Sequence, residues 1–144
     1  MKLKDLENIN KLDKEVILIT IIEAKGSVPR NKNVKMVVST DEQYGTIGGG
    51  ELEYRTINEA VNLLKNSSQN RKILDYPLGP SLGQCCGGFI KIKLDKFKNG
   101  QDLLIENNLK EYISKNYRNL YLFGAGHIAQ SLSIKLDGTG FNVF

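Results

Sequence analysis

Residues 15–23, Glu-Val-Ile-Leu-Ile-Thr-Ile-Ile-Glu, form an almost unbroken apolar, β-branched run closed at each end by a charge. Such a run offers no polar face to water, so it predicts a strand buried on both sides and central in its sheet. A buried helix is the competing reading, and Gly26 and Pro29, which punctuate the chain soon afterwards, weigh against it. The chain supplies partners for that strand. Val34 to Thr40 reads as a second strand, Asp41 to Gly45 as a loop, and Thr46-Ile47 as the third strand of a hairpin. Arg71 to Tyr76 and Gly88 to Leu94 read as two more. Helices are expected over Met1–Asp13, with Leu3, Leu6, Ile9 and Leu12 at three-residue spacing, and over Glu51–Lys65, with Leu52, Ile57, Ala60, Val61 and Leu64 on one face. The 144 residues suffice for one domain with a real core and fall short of two complete ones.

No packing argument asks for Gly79-Pro80-Ser81-Leu82-Gly83-Gln84-Cys85-Cys86-Gly87-Gly88, which holds both cysteines and four of the fourteen glycines. Glycine buries no side chain and loses the most entropy on folding, so clustered glycines mark special backbone angles or close approach to a ligand. Cysteine is nucleophilic as the thiolate and binds soft metals. The stretch therefore reads as a small sulfur-bearing loop between two strands, where a scaffold positions reactive groups. The bland alternative, two cysteines buried as small hydrophobes, stays open. Adjacent cysteines close almost no loop, so they suit a reducing compartment better than a disulfide framework.

Two further stretches offer anion-binding chemistry. Lys25-Gly26-Ser27-Val28-Pro29-Arg30 places an arginine on a loop beyond the central strand, where it can clamp a phosphate or carboxylate or simply be solvated. Gly48-Gly49-Gly50 opens the second helix and exposes consecutive backbone N–H groups at a helix N-terminus. Glu51 and Glu53 stand in that first turn and compete with any bound anion, so a plain tight turn is the equal alternative.

Asp95 to Gly100 is charged and poor in apolar residues and reads as a linker, followed by a connecting helix to about Lys115. Then Asn119-Leu120-Tyr121-Leu122-Phe123 leads into Gly124-Ala125-Gly126-His127-Ile128-Ala129 and a helix carrying Ile128, Leu132 and Leu136. A strand, G-x-G-x-x-A and a helix are the opening of a dinucleotide-binding unit. Gly140 to Phe144 starts the next strand, and no acidic ribose partner follows within the chain. One β-α-β fragment cannot bury its own apolar faces, so it must lean on the first domain, pair with another chain or belong to a longer parent; a homodimer, with exchanged elements as one form of it, is the preferred expectation.

The net charge of +4 comes from 20 basic and 16 acidic residues. Its densest cationic group, Lys91, Lys93, Lys96 and Lys98, alternates as a strand face does, without the interleaved aromatics of a nucleic-acid surface. No apolar run approaches the ~20 residues of a membrane span, and Met1 to Leu6 lacks the core of a secretory signal. A cytoplasmic protein that binds neither nucleic acid nor membrane is expected.

Four motifs together resemble the xanthine dehydrogenase accessory protein family (XdhC/CoxI). They are Gly26-Ser27-Val28-Pro29-Arg30 with Met36 downstream, Gly45-Thr46-Ile47-Gly48-Gly49-Gly50-Glu51-Leu52-Glu53, the glycine–cysteine stretch 79–88, and Leu122 to Ala129. Their order and spacing agree over nearly the whole chain. Asn33 departs from the family's usual glycine, and asparagine tolerates a left-handed backbone. The resemblance implies an α/β chain: an N-terminal mixed-sheet α+β cofactor-binding domain (1–98), a linker helix (99–117) and the first, incomplete portion of a Rossmann-like domain (118–144). It implies an accessory chaperone, not an enzyme, that binds molybdenum cofactor (molybdopterin) transiently and supports its sulfuration. Insertion into xanthine dehydrogenase or a related molybdenum hydroxylase would follow, with a cysteine desulfurase as partner. The residues it points to are Arg30, Gly48, Gly49, Gly50, Gln84, Cys85, Cys86, Gly87, Gly124, Gly126 and His127, with Cys85 and Cys86 touching molybdenum through the cofactor.

Two other classes compete. An NAD(P)-binding oxidoreductase, or a fragment of one, lacks an acidic ribose partner and a catalytic pair here, so NAD(P) is not expected. A thiol redox or zinc module lacks C-x-x-C spacing and further soft ligands.

Overall fold

The computed structural model describes residues 1–28, 30–66, 68–78, 87–111, 118–124, 126–136 and 141–143. Its centre is β1 (Val16–Lys25), flanked by β2 (Lys35–Val38) and β5 (Gly88–Phe97), with β3 (Gln43–Gly45) and β4 (Arg71–Leu78) at the edges. The order is β3-β2-β1-β5-β4, and each of these neighbours pairs antiparallel. The apolar run of β1 is central because helices cover both faces of the sheet around it. Ile17, Ile19 and Ile21 join Met36, Val38, Ile90, Ile92 and Leu94 under α2 (Gly50–Lys65). Val16 and Leu18 point the other way, into a cluster with Val37, Ile9 and Leu12 from α1 (Leu3–Asn10) and beyond it, and Leu103 and Leu109 from α3 (Gly100–Asn107) and the residues after it. Alternate side chains of a strand face opposite sides, so both clusters draw on one strand. Each fully buried Ile or Leu there contributes about 1.5–3 kcal/mol.

Two local expectations change. The third strand is Gln43–Gly45, inside the stretch read as a loop, and Thr46-Ile47 lies beyond it. The Thr46 hydroxyl and the Ile47 amide bond to Glu53 instead of a strand partner. Likewise β5 continues through Asp95 to Phe97, into the stretch read as a linker. Buried Asp95 is held there by Arg71 at 2.6 Å and Lys93 at 2.8 Å. Lys96 buries its stem and donates from Nζ to the carbonyls of Asn66 (3.0 Å) and Leu64 (3.4 Å). A cation on the last carbonyls suits the negative end of α2. Charge in this stretch is therefore spent inside the sheet, which a composition-based reading cannot see. Asn33 does adopt a left-handed backbone, φ 73°, in the turn between β1 and β2.

Helix α3, at the start of the stretch read from the sequence as a linker helix, packs against α1 through Gly100 and Leu103. A second unit consists of β6 (Arg118–Leu120), α4 (His127–Leu136) and β7 (Phe141–Val143). β6 and β7 pair in parallel, Arg118 with Phe141 through Leu120 with Val143, so this is a β-α-β crossover. It leaves Phe123, Ile128 and Ile134 exposed, and none of the described residues of α4 is buried. Among the described residues, no helix is long and apolar enough to cross a membrane.

Candidate functional site

Three of the motif segments emerge at one end of the five-stranded sheet. β1 ends at Lys25, opposite Phe89 near the start of β5, and β4 ends at Leu78, opposite Gly88. Leu78 and Gly88 therefore bracket the cysteine segment at that end. Gln84, Cys85 and Cys86 themselves lie outside the described residues. Ser27 bridges Gly87, and the two turns meet backbone to backbone. A Cβ on Gly88 would stand 2.3 Å from the Ser27 carbonyl oxygen and 2.9 Å from that of Lys25, so only glycine fits. Gly26 (φ 69°) and Gly87 (φ 61°) turn the two chains at this contact.

The direction of α2 follows from three contacts. Its Thr56 meets the Tyr76 hydroxyl, its Glu59 pairs with Lys72 at 2.6 Å, and its last carbonyls meet Lys96. α2 thus runs antiparallel to β4, and Gly48–Gly50 stand at the end where β4 leaves the sheet. Arg30, three residues past Ser27, is exposed. Its charge lowers the pKa of the Met1 amine, an effect that adds to the larger one of burial and works against the pull of Asp5. That amine lies against Gly45, on the strand leading into the glycine run. Gly124, Gly126 and His127 belong to the β-α-β unit, where all three are exposed, His127 heads α4 and Gly124 takes φ 105°.

The helix start carries a feature that sequence reading gave only as a competitor. Glu53 Oε2 accepts from the Thr46 hydroxyl (2.5 Å), the Ile47 amide (2.9 Å) and the Gly49 amide (3.0 Å). The Gly48 amide in turn donates to the Thr46 hydroxyl at 3.1 Å. Two amides of the glycine run are thus already taken, Gly49 by the carboxylate and Gly48 by the hydroxyl bonded to it. Glu51 does not share the task, since it pairs with Arg55 at 2.6 Å. The signal in the sequence was the spacing: Glu53 lies four residues past Gly49 and one helical turn into α2, where a side chain leans back toward the N-terminus.

Burial pushes the Glu53 carboxyl up, but the bonds from Thr46, Gly49 and Ile47, with the Gly48 amide nearby, outweigh it, and its pKa lies below the ordinary value. A depressed carboxylate stabilises the fold above its unfolded-state pKa, and the contribution disappears as pH falls through the lower folded value. Acidification below the ordinary glutamate range is therefore expected to loosen the glycine turn. The Ile47 and Gly49 amide resonances should titrate together over that range. Resonances that stay fixed while the exposed carboxylates titrate would show that Glu53 does not hold them.

This end of the sheet thus combines an exposed guanidinium, a glycine backbone without side chains, and the two strand ends that bracket the cysteines. Among the described residues, no cluster of His, Cys, Asp or Glu is arranged to hold a metal ion. The XdhC and CoxI family model matches residues 11–77, which contain β1 to β3, β4 up to its last residue, Arg30 and the whole Gly48–Glu53 network. The chain is 32% identical over 101 residues to the molybdenum cofactor insertion chaperone PaoD of Escherichia coli (strain K12), a match covering 68% of this chain and 31% of that protein. It therefore spans about a third of that relative's length. A crystal structure described as a xanthine dehydrogenase from Bacillus halodurans superposes with a TM-score of 0.62 over 78% of this chain and 35% of that one. At 23% identity that likeness is one of fold. Motifs, family match and relative agree: the chain belongs to the XdhC and CoxI family.

Proposed function

We propose that this chain is the cofactor-binding portion of a molybdenum cofactor insertion chaperone. Molybdopterin joins a phosphate, a flat polar ring system and a dithiolene that carries molybdenum. Arg30 suits the phosphate, because a guanidinium presents paired donors to phosphate oxygens. Gly48, Gly49 and Gly50 suit the ring as a bare backbone surface, since the Gly48 and Gly49 amides are already bonded to Thr46 and Glu53. Gln84 is assigned to the pterin edge, and the Gly87 backbone to the close approach its turn permits. Cys85 and Cys86 supply soft thiolates for molybdenum or its sulfur when the cofactor is bound. Gly124, Gly126 and His127 are assigned to the same ligand as the contribution of the second unit, read as the opening of a Rossmann-like domain.

The wider role follows the relative's name and the family resemblance. The chain would hold the cofactor while a cysteine desulfurase partner supports its sulfuration, then deliver it to xanthine dehydrogenase or a related molybdenum hydroxylase, in the cytoplasm and as a homodimer. The observation that carries this reading is the backbone contact of Ser27 with Gly87 and Gly88, at the end of the sheet where α2 begins. The test is cofactor carriage by the full chain, purified from cells that make molybdopterin. Stoichiometric molybdopterin without catalytic turnover is expected, falling at least about tenfold in a double Cys85→Ser, Cys86→Ser variant, as loss of a soft ligand predicts. Equal retention in both proteins would remove the thiolates from the site.

A further inference from the structure

Three consecutive residues at left-handed backbone angles need a cause. Gly48, Gly49 and Gly50 take φ values of 131°, 76° and 66°, a conformation closed to ordinary side chains. Steric crowding is not what demands glycine at the last two, because a Cβ on Gly49 or Gly50 would meet nothing within 4 Å. Nor does packing hold the run, since Gly48 and Gly50 are exposed. What fixes it is polar. One oxygen of Glu53 collects the Thr46 hydroxyl and the Ile47 and Gly49 amides, and the Thr46 hydroxyl receives the Gly48 amide. Two side chains, one before the glycines and one after, thereby close a loop of hydrogen bonds around them. Backbone held in sparsely populated angles persists only where its surroundings over-determine it, and such segments gather at ligand sites.

We infer that Glu53, with Thr46 behind it, is a positioning residue: it locks Gly48–Gly50 into a rigid, side-chain-free ledge against which the ring system of the ligand lies. This rests on the cofactor-binding reading above and adds to it a division of labour. The glycine run is not the phosphate site, because its Gly48 and Gly49 amides are taken by Thr46 and Glu53 and the Glu53 carboxylate beside them repels an anion; the anion goes to Arg30, and the ledge takes the uncharged, flat part of the ligand. Pre-organising a loop removes an ordering cost from binding, so the lock acts on affinity without touching the ligand.

Two readouts on the full chain separate this from the reading it rests on. Amide exchange of Ile47 and Gly49, measured without ligand, is expected to speed up at least about tenfold in Glu53→Ala. Molybdopterin affinity is expected to fall at least about tenfold, while Glu53→Gln, which keeps an acceptor oxygen, stays within about threefold of wild type. A general structural defect would not be rescued by glutamine and would speed exchange in the β1 and β5 core as well. Should Glu53→Ala fail to fold, Thr46→Val takes its place, with faster exchange expected at Gly48. Unchanged exchange at Ile47 and Gly49, or full affinity in Glu53→Ala, overturns the positioning role. A wild-type chain that binds no molybdopterin overturns the cofactor reading instead, and leaves the exchange result to judge the lock.

Discussion

Gly88→Ala is expected to destabilise the protein by about 3 kcal/mol and to abolish cofactor retention. The added methyl would meet the Ser27 carbonyl oxygen at 2.3 Å, the Ser27 carbonyl carbon at 3.0 Å and the Lys25 oxygen at 2.9 Å. All three are backbone atoms, so no rotamer change relieves the contact. Either β1 and β5 part at their paired ends, or the Gly26–Ser27 turn lifts away from Gly87. The second outcome moves Arg30 away from the bracketed cysteine segment, and a shift of about 1 Å in a binding constellation is enough to cost most of its affinity. Urea denaturation gives the stability change and molybdopterin retention the functional one. The neighbouring glycine is the control. Gly87→Ala meets nothing within 4 Å and suffers only its φ of 61°, a cost of about 1 kcal/mol. It should unfold in urea within about 1 kcal/mol of wild type. If Gly88→Ala were as mild as Gly87→Ala, the two turns would not be in the contact on which the site depends.

How much of this was legible beforehand differs by type of interaction. The central strand was plain, because a run with no polar face has one solution in a sheet covered on both sides, and β1 has that place. Helix α2 was equally plain from its spacing, since Leu52, Ala60 and Leu64 are buried on one face. What the sequence concealed was where polar side chains spend their hydrogen bonds. Asp95 and Lys96 look like linker residues until Arg71, Lys93 and the end of α2 are brought to them, across 24 residues in the first case and about 30 in the last. Thr46 and Ile47 look like strand until Glu53 claims them. The same kind of blindness applied to the glycine run, where the motif suggested an anion cradle and left its filling by Glu53 as an alternative. Pairing partners distant in sequence leave no periodic trace, whereas burial does.

Gly100→Ala is the complementary test, with an effect of similar size at the opposite end of the sheet. Gly100 opens α3, with Asn99 as its N-cap: the Asn99 side chain accepts from the Asp102 amide at 2.8 Å. Its own amide donates to the Leu12 carbonyl at 2.9 Å, which ties the start of α3 to the chain just after α1. At that approach a Cβ would lie 1.7 Å from the Ile9 carbonyl oxygen and 2.7 Å from its carbon, so the two helices must separate. Separation opens the cluster of Ile9, Leu18, Leu103 and Leu109, and the expected loss is ~3 kcal/mol or more, a fall in Tm of roughly 10 °C. Yet β5 reaches Gly100 from Phe97, paired with Val16, whereas the candidate site lies at the other end, beyond Lys25 and Phe89. Sites that far apart without shared partners behave additively. The folded fraction of Gly100→Ala should therefore bind molybdopterin with wild-type affinity, whereas Gly88→Ala loses stability and affinity together. Equal loss of affinity in both variants would mean that ligand binding reports only on the integrity of the core, and the assignment of the site to the Ser27–Gly88 end of the sheet would fall.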